Sequence, residues 1–572
     1  MKTMKKFLMN EKVDIFFFMV FSFIFHVVVM NQFSCWFSTD TDGYWLHAAS
    51  MTGHRWGDVA KDMPFFYSWG YSVLLTIPMM ITEDVNFMYS IAIIINVLLC
   101  TLIVPIVYYL CTKFAPGIAR IRRLLIALIV SCYSSYILNS AVSLAETLIY
   151  FLTFLILFLL YKYFDSEKVI WAVLSGCTVG YVYIVHNRCI GLVVAFVVVS
   201  IVHLVVKRKF KAFLGFMIPF FCMLVLKNVV TDWLNVVEQT TGIYTVNTYD
   251  SVLDSGQLSF YNIISLIQNV IGELWYTLAG TFVIAGYGIY EIIKRLIEEW
   301  GNCKFTLFYV YAIISWIFMI GVSSLFLLKD EAITFGRIDT IFYGRYMESS
   351  IGFLLMMGLI YLEKKTQNKK EIGLVLIFSV LLTVLVYFFT KEYDTGWNNW
   401  FSMVAILFPF SYGNTEISVL NSSIVLLIIG LFVIYLFGMG KNIYKYIAYV
   451  VVCVSFLFIG YNATYTVARL YREDATVDHN PTYNDDFVSI CDYVSNNNCE
   501  EFYVLSTSGY EAFSYQFIMQ DKHVISVIDT GNVDLMKMNK DDLVVVLESK
   551  DISRYQYDML YDGEKYNLIQ LN

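Results

Sequence analysis

The chain has 572 residues, of which 58% are hydrophobic and only 15% are charged, whereas soluble globular domains carry about 25% charged residues. This composition excludes an ordinary soluble enzyme, gives no indication of a nucleic-acid partner, and predicts a polytopic protein surrounded by membrane lipids. The net charge of −8 is uninformative by itself, because cations and anions are segregated along the chain.

Apolar runs recur along most of the chain, and each is long enough to cross a hydrocarbon core that needs about 20 helical residues. The first run follows MKTMKK and has no small-residue cleavage site, so we expect it to stay as an anchor rather than to be removed as a signal peptide. About thirteen spans are predicted. They lie near residues 13–31, 86–112, 122–138, 145–163, 168–186, 189–206, 210–229, 268–293, 304–327, 348–364, 371–390, 420–439 and 443–466.

Lysine and arginine in the loops between spans predict the orientation of the chain. The segments KFAPGIARIRR, KRKFK, KRLIEEWGNCK, EKKTQNKK and KNIYK all fall on one side. By the positive-inside rule this side is cytoplasmic, together with the N-terminus. The extracytoplasmic side then receives residues 32–85, 139–145, 187–188, 230–267, 328–347, 391–419 and everything after about 467.

The first outer loop, residues 32–85, contains the segment STDTDGYW, in which two carboxylates are two residues apart. Asp40 and Asp42 could bind a divalent cation such as Mg²⁺ or Mn²⁺, accept a proton from a reacting group, or cap a helix that begins near Gly43. Capping explains one aspartate but not both. The sequence therefore leaves a chemical role open for at least one of them.

Aromatic residues and a histidine follow the aspartates. If the chain is helical from Gly43, Tyr44 and His47 share a face and Trp45 lies beside it, so an aromatic wall suited to a sugar ring would stand next to the carboxylates. Tyrosine and tryptophan are equally common in the interfacial belt of membrane proteins. For His47 we expect a solvated loop position rather than a metal site, because no ligand spacing accompanies it.

Two outer segments are apolar but too short or too interrupted to span a membrane. Residues 65–81 contain Pro78 and are predicted to be re-entrant or to lie at the membrane interface. Residues 400–410 are a second segment of this type.

Glu146, in SLAETL, is placed at the outer entrance of the fourth predicted span. A carboxylate that faces lipid there costs a few kcal/mol, so its side chain should face a cavity or a partner. An equally simple alternative is that Glu146 stabilises the positive end of its own helix.

Three arginines are predicted on the outer side, where cations are scarce. Arg188 and His186 stand at a hairpin tip between two spans, and Arg337 and Arg345 lie in FGRIDTIFYGRYMESS. An arginine in this position needs an anion, which could be Glu146, a lipid headgroup or a substrate phosphate. Lipid phosphate explains each arginine separately, but the set together favours a shared anionic target.

From about Ala468 the composition changes to an ordinary soluble mixture. DDFVSICDYVSNN and GYEAFSYQFIMQ are predicted helices, and EFYVLS, HVISVI and DLVVVLES are predicted strands. We therefore divide the chain into a membrane domain, residues 1–466, and an extracytoplasmic α/β domain with a partly parallel sheet, residues 467–572. This second domain has no Gly-rich phosphate loop and is predicted to be a lid or scaffold.

Five segments, in this order and on this side, resemble the GT-C membrane glycosyltransferases, which take a sugar from a polyprenyl-phosphate carrier. They are DTDGYWLHAASMTGHRW, MPFFYSWGYSVLL, SLAETL, GCTVGYVYIVHNRCIGLV and FYGRYMESS. The resemblance covers residues 13–466 and is to the bacterial aminoarabinose-transferase and protein-mannosyltransferase type, glycosyltransferase family 39. It implies a mostly α, GT-C-like fold with about 13 transmembrane helices, followed by the small α/β domain.

The resemblance also implies roles for particular residues. An acidic residue of the first outer loop serves in that family as catalytic base or organises the acceptor, and here it falls on Asp42 or Asp40, of which we favour Asp42. The family often has Asp-Glu at this place, whereas Gly43 follows Asp42 here, so the roles of the pair stay open. Glu146 would be the second acid, and Arg188 and Arg345 would contact the carrier phosphate.

The implied function is transfer of a sugar from a polyprenyl-phosphate-linked donor to a hydroxyl group of an extracytoplasmic lipid, glycan or protein. The location would be a bacterial plasma membrane, and no cofactor beyond the lipid carrier is assigned. A polymerase or ligase of lipid-linked oligosaccharides is the main alternative, and a transporter or flippase is a weaker one. Transporters place ionisable residues near the midplane, whereas here they lie at the outer edge.

Overall fold

The computed structural model describes most of the chain. The described residues are 11–30, 32, 39–54, 56–61, 68–238, 260–298, 305–328, 338–364, 369–391, 399–407, 419–473, 484–497, 499–506, 509–528, 539, 541–547 and 556–572.

Within these ranges, helices dominate as far as residue 473. In chain order they are α1 (Glu11–Met30), α2 (Thr39–Thr52), α3 (Gly57–Ala60), α4 (Ser72–Ile81), α5 (Val85–Phe114), α6 (Arg120–Ser131), α7 (Ser134–Ser140), α8 (Glu146–Ser166), α9 (Val169–Val185), α10 (Ile190–Lys207), α11 (Phe210–Val237), α12 (Phe260–Ala279), α13 (Ile284–Glu298), α14 (Thr306–Phe326), α15 (Gly344–Glu363), α16 (Lys369–Thr390), α17 (Val419–Gly438) and α18 (Asn442–Glu473). The last part contains α19 (Asp485–Asn496), α20 (Tyr510–Ile518) and strands β1 (Glu501–Ser506), β2 (His523–Ile528), β3 (Leu543–Leu547), β4 (Tyr557–Tyr561) and β5 (Tyr566–Leu571).

The prediction of a polytopic helical membrane protein is confirmed, but the count of thirteen spans is not. Among the described residues, nine helices are long and apolar enough to cross a membrane, or up to eleven if each of two bent helix pairs is one span. Two predicted spans do not meet these criteria. Helix α9 has only 17 residues, and α15 carries Arg345 and Glu348 in its first two turns.

The segment predicted as one span over residues 268–293 is broken. Helices α12 and α13 meet at an angle of 104°. Between them Phe282 and Val283 have left-handed backbone angles, with φ of 53° and 66°, which are costly for residues with a side chain. The ring of Phe282 stacks on Phe456 with 4.8 Å between centroids, and this contact helps to hold the break.

Helices α13 and α15 approach each other so closely that only glycine fits at two positions. A Cβ atom at Gly288 would lie 1.9 Å from the carbonyl oxygen of Leu354, and one at Gly358 would lie 1.9 Å from that of Ile284. Because the backbones touch, this pair forms a tightly packed part of the membrane region.

Buried ion pairs fasten the far end of α15. Glu363 accepts hydrogen bonds from Arg122 Nη1 at 2.8 Å, Lys445 Nζ at 2.9 Å and Tyr449 OH at 2.9 Å. These contacts join α15 to α6 and α18. They fall on the side that the positive-inside rule predicts to be cytoplasmic.

The chain divides into two compact units. The first contains residues 1–32, 94–225 and 248–467, and the second contains residues 33–93, 226–247 and 468–572. The second unit thus combines the first predicted outer loop with the C-terminal segment. Whether residues 467–572 form a domain by themselves stays a prediction.

The C-terminal segment has the predicted α/β character. Its strands are ordered β2-β1-β3-β5-β4, and β1 pairs in parallel with β2 and β3. Strand β5 pairs antiparallel with β3 and β4. The expectation of a partly parallel sheet is therefore confirmed, and its core includes Leu505, Val544, Val546, Ile569 and Leu571.

The two short apolar segments differ from each other. Helix α4 accounts for most of residues 65–81 and is amphipathic, since Leu75 and Met79 are buried while Ile77 and Met80 are exposed. Residues 400–407, the described part of the second segment, form no continuous interface-lying helix. They contain two short 3-10 turns, Trp400–Ser402 and Val404–Ile406, and the second turn is buried; residues 408–410 lie outside the described ranges.

Candidate active site

A cluster of one carboxylate and two guanidinium groups lies buried in the first unit. Glu146 is the first residue of α8, Arg345 is the second residue of α15, and Arg188 lies in a 3-10 turn, Asn187–Cys189. Glu146 Oε1 accepts hydrogen bonds from Arg188 Nη2 at 2.7 Å and from Arg345 Nε at 2.5 Å. The side chains are 1%, 3% and 7% exposed for Glu146, Arg188 and Arg345, so the charges interact with little screening by water.

The cluster has more positive than negative charge. Two guanidinium groups share one carboxylate, so these three side chains alone carry a formal charge of +1, while the carboxyl group of Glu348 lies one turn further along α15. Within the described residues Glu146 Oε2 has no hydrogen-bond partner, and the guanidinium of Arg188 lies 4.9 Å from the ring centroid of Tyr346. Two guanidinium groups held side by side offer several N–H donors in one place, so this arrangement is suited to binding an anion such as phosphate.

Local structure explains why Arg188 reaches this position. The Nδ1 atom of His186 accepts a hydrogen bond from the backbone N–H of Arg188 at 3.2 Å, which caps the 3-10 turn. Immediately after the turn, Gly191 lets α10 approach α14, because a Cβ atom there would lie 3.0 Å from the backbone nitrogen of Met319. The turn is therefore held beside the start of α15, and His186 has a structural contact whether or not it also binds phosphate.

A second buried acid, Glu348, lies one turn after Arg345 on α15. Its Oε1 accepts hydrogen bonds from Ser135 Oγ and Tyr276 OH, each at 2.5 Å, and its Oε2 accepts one from Tyr150 OH at 2.9 Å. Tyr150 lies one turn after Glu146 on α8. The contact between Tyr150 and Glu348 thus joins the two helices that supply Glu146 and Arg345.

Two groups that can only donate favour this direction of the hydrogen bonds. Asn139 Nδ2 donates to Tyr150 OH at 3.0 Å, and the backbone N–H of Ala405 donates to Tyr276 OH at 3.2 Å. Each tyrosine oxygen therefore accepts on one side and keeps its own proton available for Glu348. Glu348 was not among the predicted site residues, although an acidic residue at the start of a predicted span, three residues after an arginine, is a signal that could have identified it.

The candidate acids of the first outer loop lie in the second unit. Helix α2 begins at Thr39 rather than near Gly43, so both aspartates belong to its first turn. The positive end of the helix favours the charge of Asp42 there. Asp42 is buried and accepts a hydrogen bond from Thr41 Oγ1 at 3.2 Å. The side chain of Asp40 lies outside the described residues, so the choice between the two aspartates stays open.

The other predicted residues of α2 are packed inside the second unit. Tyr44 packs edge-on against Tyr71, with 5.3 Å between ring centroids, and Trp45 is 0% exposed. His47 is also buried, and its Nδ1 lies 2.8 Å from Glu238 Oε1, so the expectation of a solvated loop histidine is wrong. Contacts of Tyr44, Trp45 and His47 with a sugar stay a prediction, because each has a protein partner here.

The structure leaves two predictions untested. Arg337 lies outside the described residues. Among the residues that are described, no group of three or more His, Cys, Asp or Glu side chains could hold a metal ion. Since the side chain of Asp40 is not among them, the hypothesis of a cation at Asp40 and Asp42 is neither supported nor contradicted.

Taken together, the apolar helices and the C-terminal sheet define a multi-pass membrane protein with a small α/β segment. No protein-family model matches the sequence, and no curated protein sequence is similar to it. The fold is similar to that of ArnT from Cupriavidus metallidurans, both bound to undecaprenyl phosphate (TM-score 0.52) and in the apo state (TM-score 0.54). In both comparisons 97% of each chain is covered at 10% identity, and at this identity the likeness concerns the fold.

The oligosaccharyltransferase of Archaeoglobus fulgidus is a more distant match. Its apo form has a TM-score of 0.40 and 12% identity, and the alignment covers 93% of this chain and 69% of that one. The GT-C-like fold therefore rests on the likeness to ArnT.

Proposed function

We propose that this protein is a membrane glycosyltransferase that moves a sugar from a polyprenyl-phosphate carrier to a hydroxyl group of an extracytoplasmic acceptor. The observation that carries the proposal is the buried cluster of Glu146, Arg188 and Arg345, which holds two guanidinium groups side by side, as donors of the kind that bind phosphate. The GT-C-like fold supports it, since ArnT, with the same fold, binds undecaprenyl phosphate. The acceptor is a lipid, glycan or protein of the cell envelope.

The arginines act on the leaving group. During transfer, the bond between the anomeric carbon and the phosphate oxygen breaks, and its electron pair goes to phosphate. Guanidinium groups already placed at that oxygen stabilise the charge as it develops, an effect of about 3 kcal/mol per donor in other enzymes. Glu146 holds Arg188 and Arg345 in place before the carrier binds, so little reorganisation is needed.

Asp42 acts on the acceptor, with Asp40 as the alternative. As the acceptor oxygen forms its bond to the anomeric carbon, its proton must leave, and a carboxylate within hydrogen-bond reach can take it. The proposal requires no metal for this step. A divalent cation held by Asp40 and Asp42 stays a separate hypothesis, which activity measured after treatment with EDTA would test.

The location follows from the predicted orientation. With the lysine- and arginine-rich loops in the cytoplasm, the arginine cluster and the first outer loop belong to the extracytoplasmic side of a bacterial plasma membrane. Labelling of single cysteines placed at Lys207 and at Asp562 with an impermeant reagent in intact cells tests this orientation. Only the second position should react.

Binding of the carrier can be tested without knowing the sugar. Undecaprenyl phosphate is added to the purified protein in detergent, with undecaprenol, which lacks the phosphate, as the lipid control. We expect only the phosphate form to raise the thermal stability, by about 2.7 kcal/mol at 100 times its Kd. Arg188→Met and Arg345→Met should lose this effect. Arg120→Met, which removes an ion pair with Asp14 elsewhere, should keep it.

Two outcomes would overturn the proposal at this stage. Equal stabilisation by both lipids would show that phosphate is not recognised. Loss of the effect in Arg120→Met as well as in the two cluster variants would show that the arginines of the cluster have no special role.

The role of the aspartates needs a transfer assay with a polyprenyl-linked sugar donor. We expect Asp42→Asn to lose at least 100-fold in turnover, the lower range for general-base catalysis, while its affinity for undecaprenyl phosphate is retained. If Asp42→Asn and Asp40→Asn both transfer sugar at the rate of the unaltered protein, the assignment of the base is wrong. A polymerase or ligase would instead transfer whole lipid-linked oligosaccharides in this assay.

A further inference from the structure

The C-terminal segment holds the first outer loop through an aromatic contact. Within the second unit, Phe517 of α20 lies edge-on to Trp45 of α2, with 5.1 Å between ring centroids. Trp56, just before α3, lies 6.2 Å from both Phe513 and Phe517. All four rings are buried. Because Trp45 is one turn after Asp42, this contact fixes the rotation and position of the helix that carries the candidate base.

An ionic contact joins the same two parts of the second unit. His523 is the first residue of β2. Its Nε2 atom is 2.9 Å from Asp58 Oδ2, and its Nδ1 atom is 2.6 Å from Glu501 Oε2. Asp58 belongs to α3, and Glu501 is the partner of His523 on the neighbouring strand β1. A neutral imidazole has one N–H, so only protonated histidine can donate to both carboxylates at once.

The surroundings of His523 favour the protonated form. Partial burial lowers the pKa of His523, but the hydrogen bonds to Asp58 and Glu501 and the charges of these groups outweigh it, so the pKa is raised above its ordinary value. Burial opposes ionisation of Asp58, yet its bonds to His523 and Lys61 leave its pKa lowered. Other charged residues near this contact, within the described part of the chain, are Asp521 and Lys522, which pair with each other, Glu500, whose carbonyl oxygen accepts a hydrogen bond from the backbone N–H of His523, and Asp542, which together with Asp58 and Glu501 acts on Tyr503 of β1.

We propose that the C-terminal segment positions the Asp42 helix for transfer, with protonated His523 as the bridge between α3 and the sheet. His523 is a positioning residue, because it acts through the first outer loop rather than by touching substrate. The consequence for transfer rests on the proposed function, whereas the positioning itself does not.

The sign of the pH dependence follows from the raised pKa. A histidine whose pKa is higher in the folded protein contributes stability that is fully present below its unfolded value, about 6.5, and is lost as the pH rises through the folded value. The first outer loop should therefore be held more firmly at low pH. Removing His523 should abolish this dependence rather than shift it.

Hydrogen exchange of the full-length protein in detergent tests the positioning. Peptides that cover residues 43–60 are compared at about pH 6 and about pH 8.5, on either side of the ordinary histidine range, after correction for the intrinsic exchange rate. In the unaltered protein we expect protection to fall at the higher pH. In His523→Gln it should already be low at the lower pH and should not change further.

Two control variants separate this role from a general loss of structure. Lys522→Gln removes a positive charge next to His523 without touching Asp58 or Glu501, and it should behave like the unaltered protein. Phe517→Leu should lower the protection of residues 43–60 at both pH values while β1 and β2 stay protected. If His523→Gln exchanges like the unaltered protein at both pH values, the proposal is wrong.

A transfer assay adds a second measurement, the pH dependence of kcat, which a purely structural role of His523 would not change. If the protein transfers sugar, His523→Gln should lower kcat at low pH to the value that the unaltered protein shows at high pH, with an unchanged KM for the lipid donor. A fall in KM and kcat together, with normal exchange of residues 43–60, would contradict positioning. Absence of any transfer would refute the proposed function, but the exchange experiment would still decide whether His523 holds the loop.

Discussion

Replacing Glu146 by glutamine should destabilise the empty protein and, at the same time, strengthen the stabilising effect of a bound anion. The carboxylate is the counter-ion of both Arg188 and Arg345 and accepts a hydrogen bond from each. Glutamine keeps the shape and one carbonyl acceptor but not the charge. The surplus in the cluster therefore rises from one to two positive charges.

The expected magnitude follows from these two contacts. A hydrogen bond to a charged group contributes about 1.5–3 kcal/mol, so two of them give about 3–6 kcal/mol. Removing one partner from a buried ion pair costs about 3–5 kcal/mol. Both bonds end on Oε1, whose place the amide oxygen of glutamine can take, so what is lost is mainly the negative charge, and we expect a loss of about 3 kcal/mol in the free energy of unfolding, near the lower end of both ranges.

The assay is a reversible denaturant titration of the purified protein in mixed micelles, with and without undecaprenyl phosphate. Without the lipid, Glu146→Gln should be about 3 kcal/mol less stable than the unaltered protein. With the lipid at a fixed concentration, the variant should be stabilised more than the unaltered protein, because its two arginines lack an internal anion and bind phosphate more tightly.

Glu363→Gln is the matched control. Glu363 is as buried as Glu146 and also neutralises two cations, Arg122 and Lys445, but it lies at the far end of α15. It should lose a similar amount of stability and show no added stabilisation by the lipid. Equal lipid stabilisation of both variants, or an unchanged stability of Glu146→Gln, would refute the reasoning that the cluster is a phosphate site.

Two further substitutions test the packing around the cluster. Glu348→Gln should lower the free energy of unfolding by about 1–3 kcal/mol in the same titration. The amide NH₂ of glutamine would face a hydroxyl group, such as that of Tyr150, that already donates its proton toward this position. Unchanged stability would contradict the assigned direction of these bonds. Gly358→Ala should cost about 1–3 kcal/mol, because its Cβ would lie 1.9 Å from the carbonyl oxygen of Ile284. Gly373→Ala, where nothing lies within 4 Å, should instead be neutral or stabilising by up to about 1 kcal/mol; equal effects of the two glycine variants would refute the close helix contact.

The fold class could be predicted because hydropathy and charge act locally. Each apolar run identifies a helix without knowledge of its neighbours, and the basic loops predict its direction. The count of spans could not be predicted in the same way. The break after α12 occurs at Phe282 and Val283, which have a left-handed backbone. Phenylalanine and valine favour neither turns nor helix ends, so these two residues carry no local signal for this conformation. The break depends instead on tertiary contacts such as the stack of Phe282 on Phe456.

The site was predictable only where the sequence carried an anomaly. Arginines on the side that is predicted to be extracytoplasmic indicated an anion, and Glu146 was one of three candidates for it that the sequence left open. The partners of His47 and His523 were not predictable, because Glu238 and Asp58 lie far away along the chain and nothing local connects them. Glu348 is the first residue of the predicted span 348–364, directly after a predicted outer loop, so a prediction based on acids in the outer loops does not include it.

The most direct test of the central claim is mass spectrometry of lipid-linked sugars and envelope glycans in cells that lack the protein. A transferase of the proposed kind predicts that one polyprenyl-phosphate-linked sugar accumulates while one substituent disappears from an envelope lipid, glycan or protein. Expression of the unaltered protein should restore both, and the Arg345→Met variant should not. Unchanged lipid-linked sugars, together with the loss of a transported solute, would contradict the account and favour a transporter.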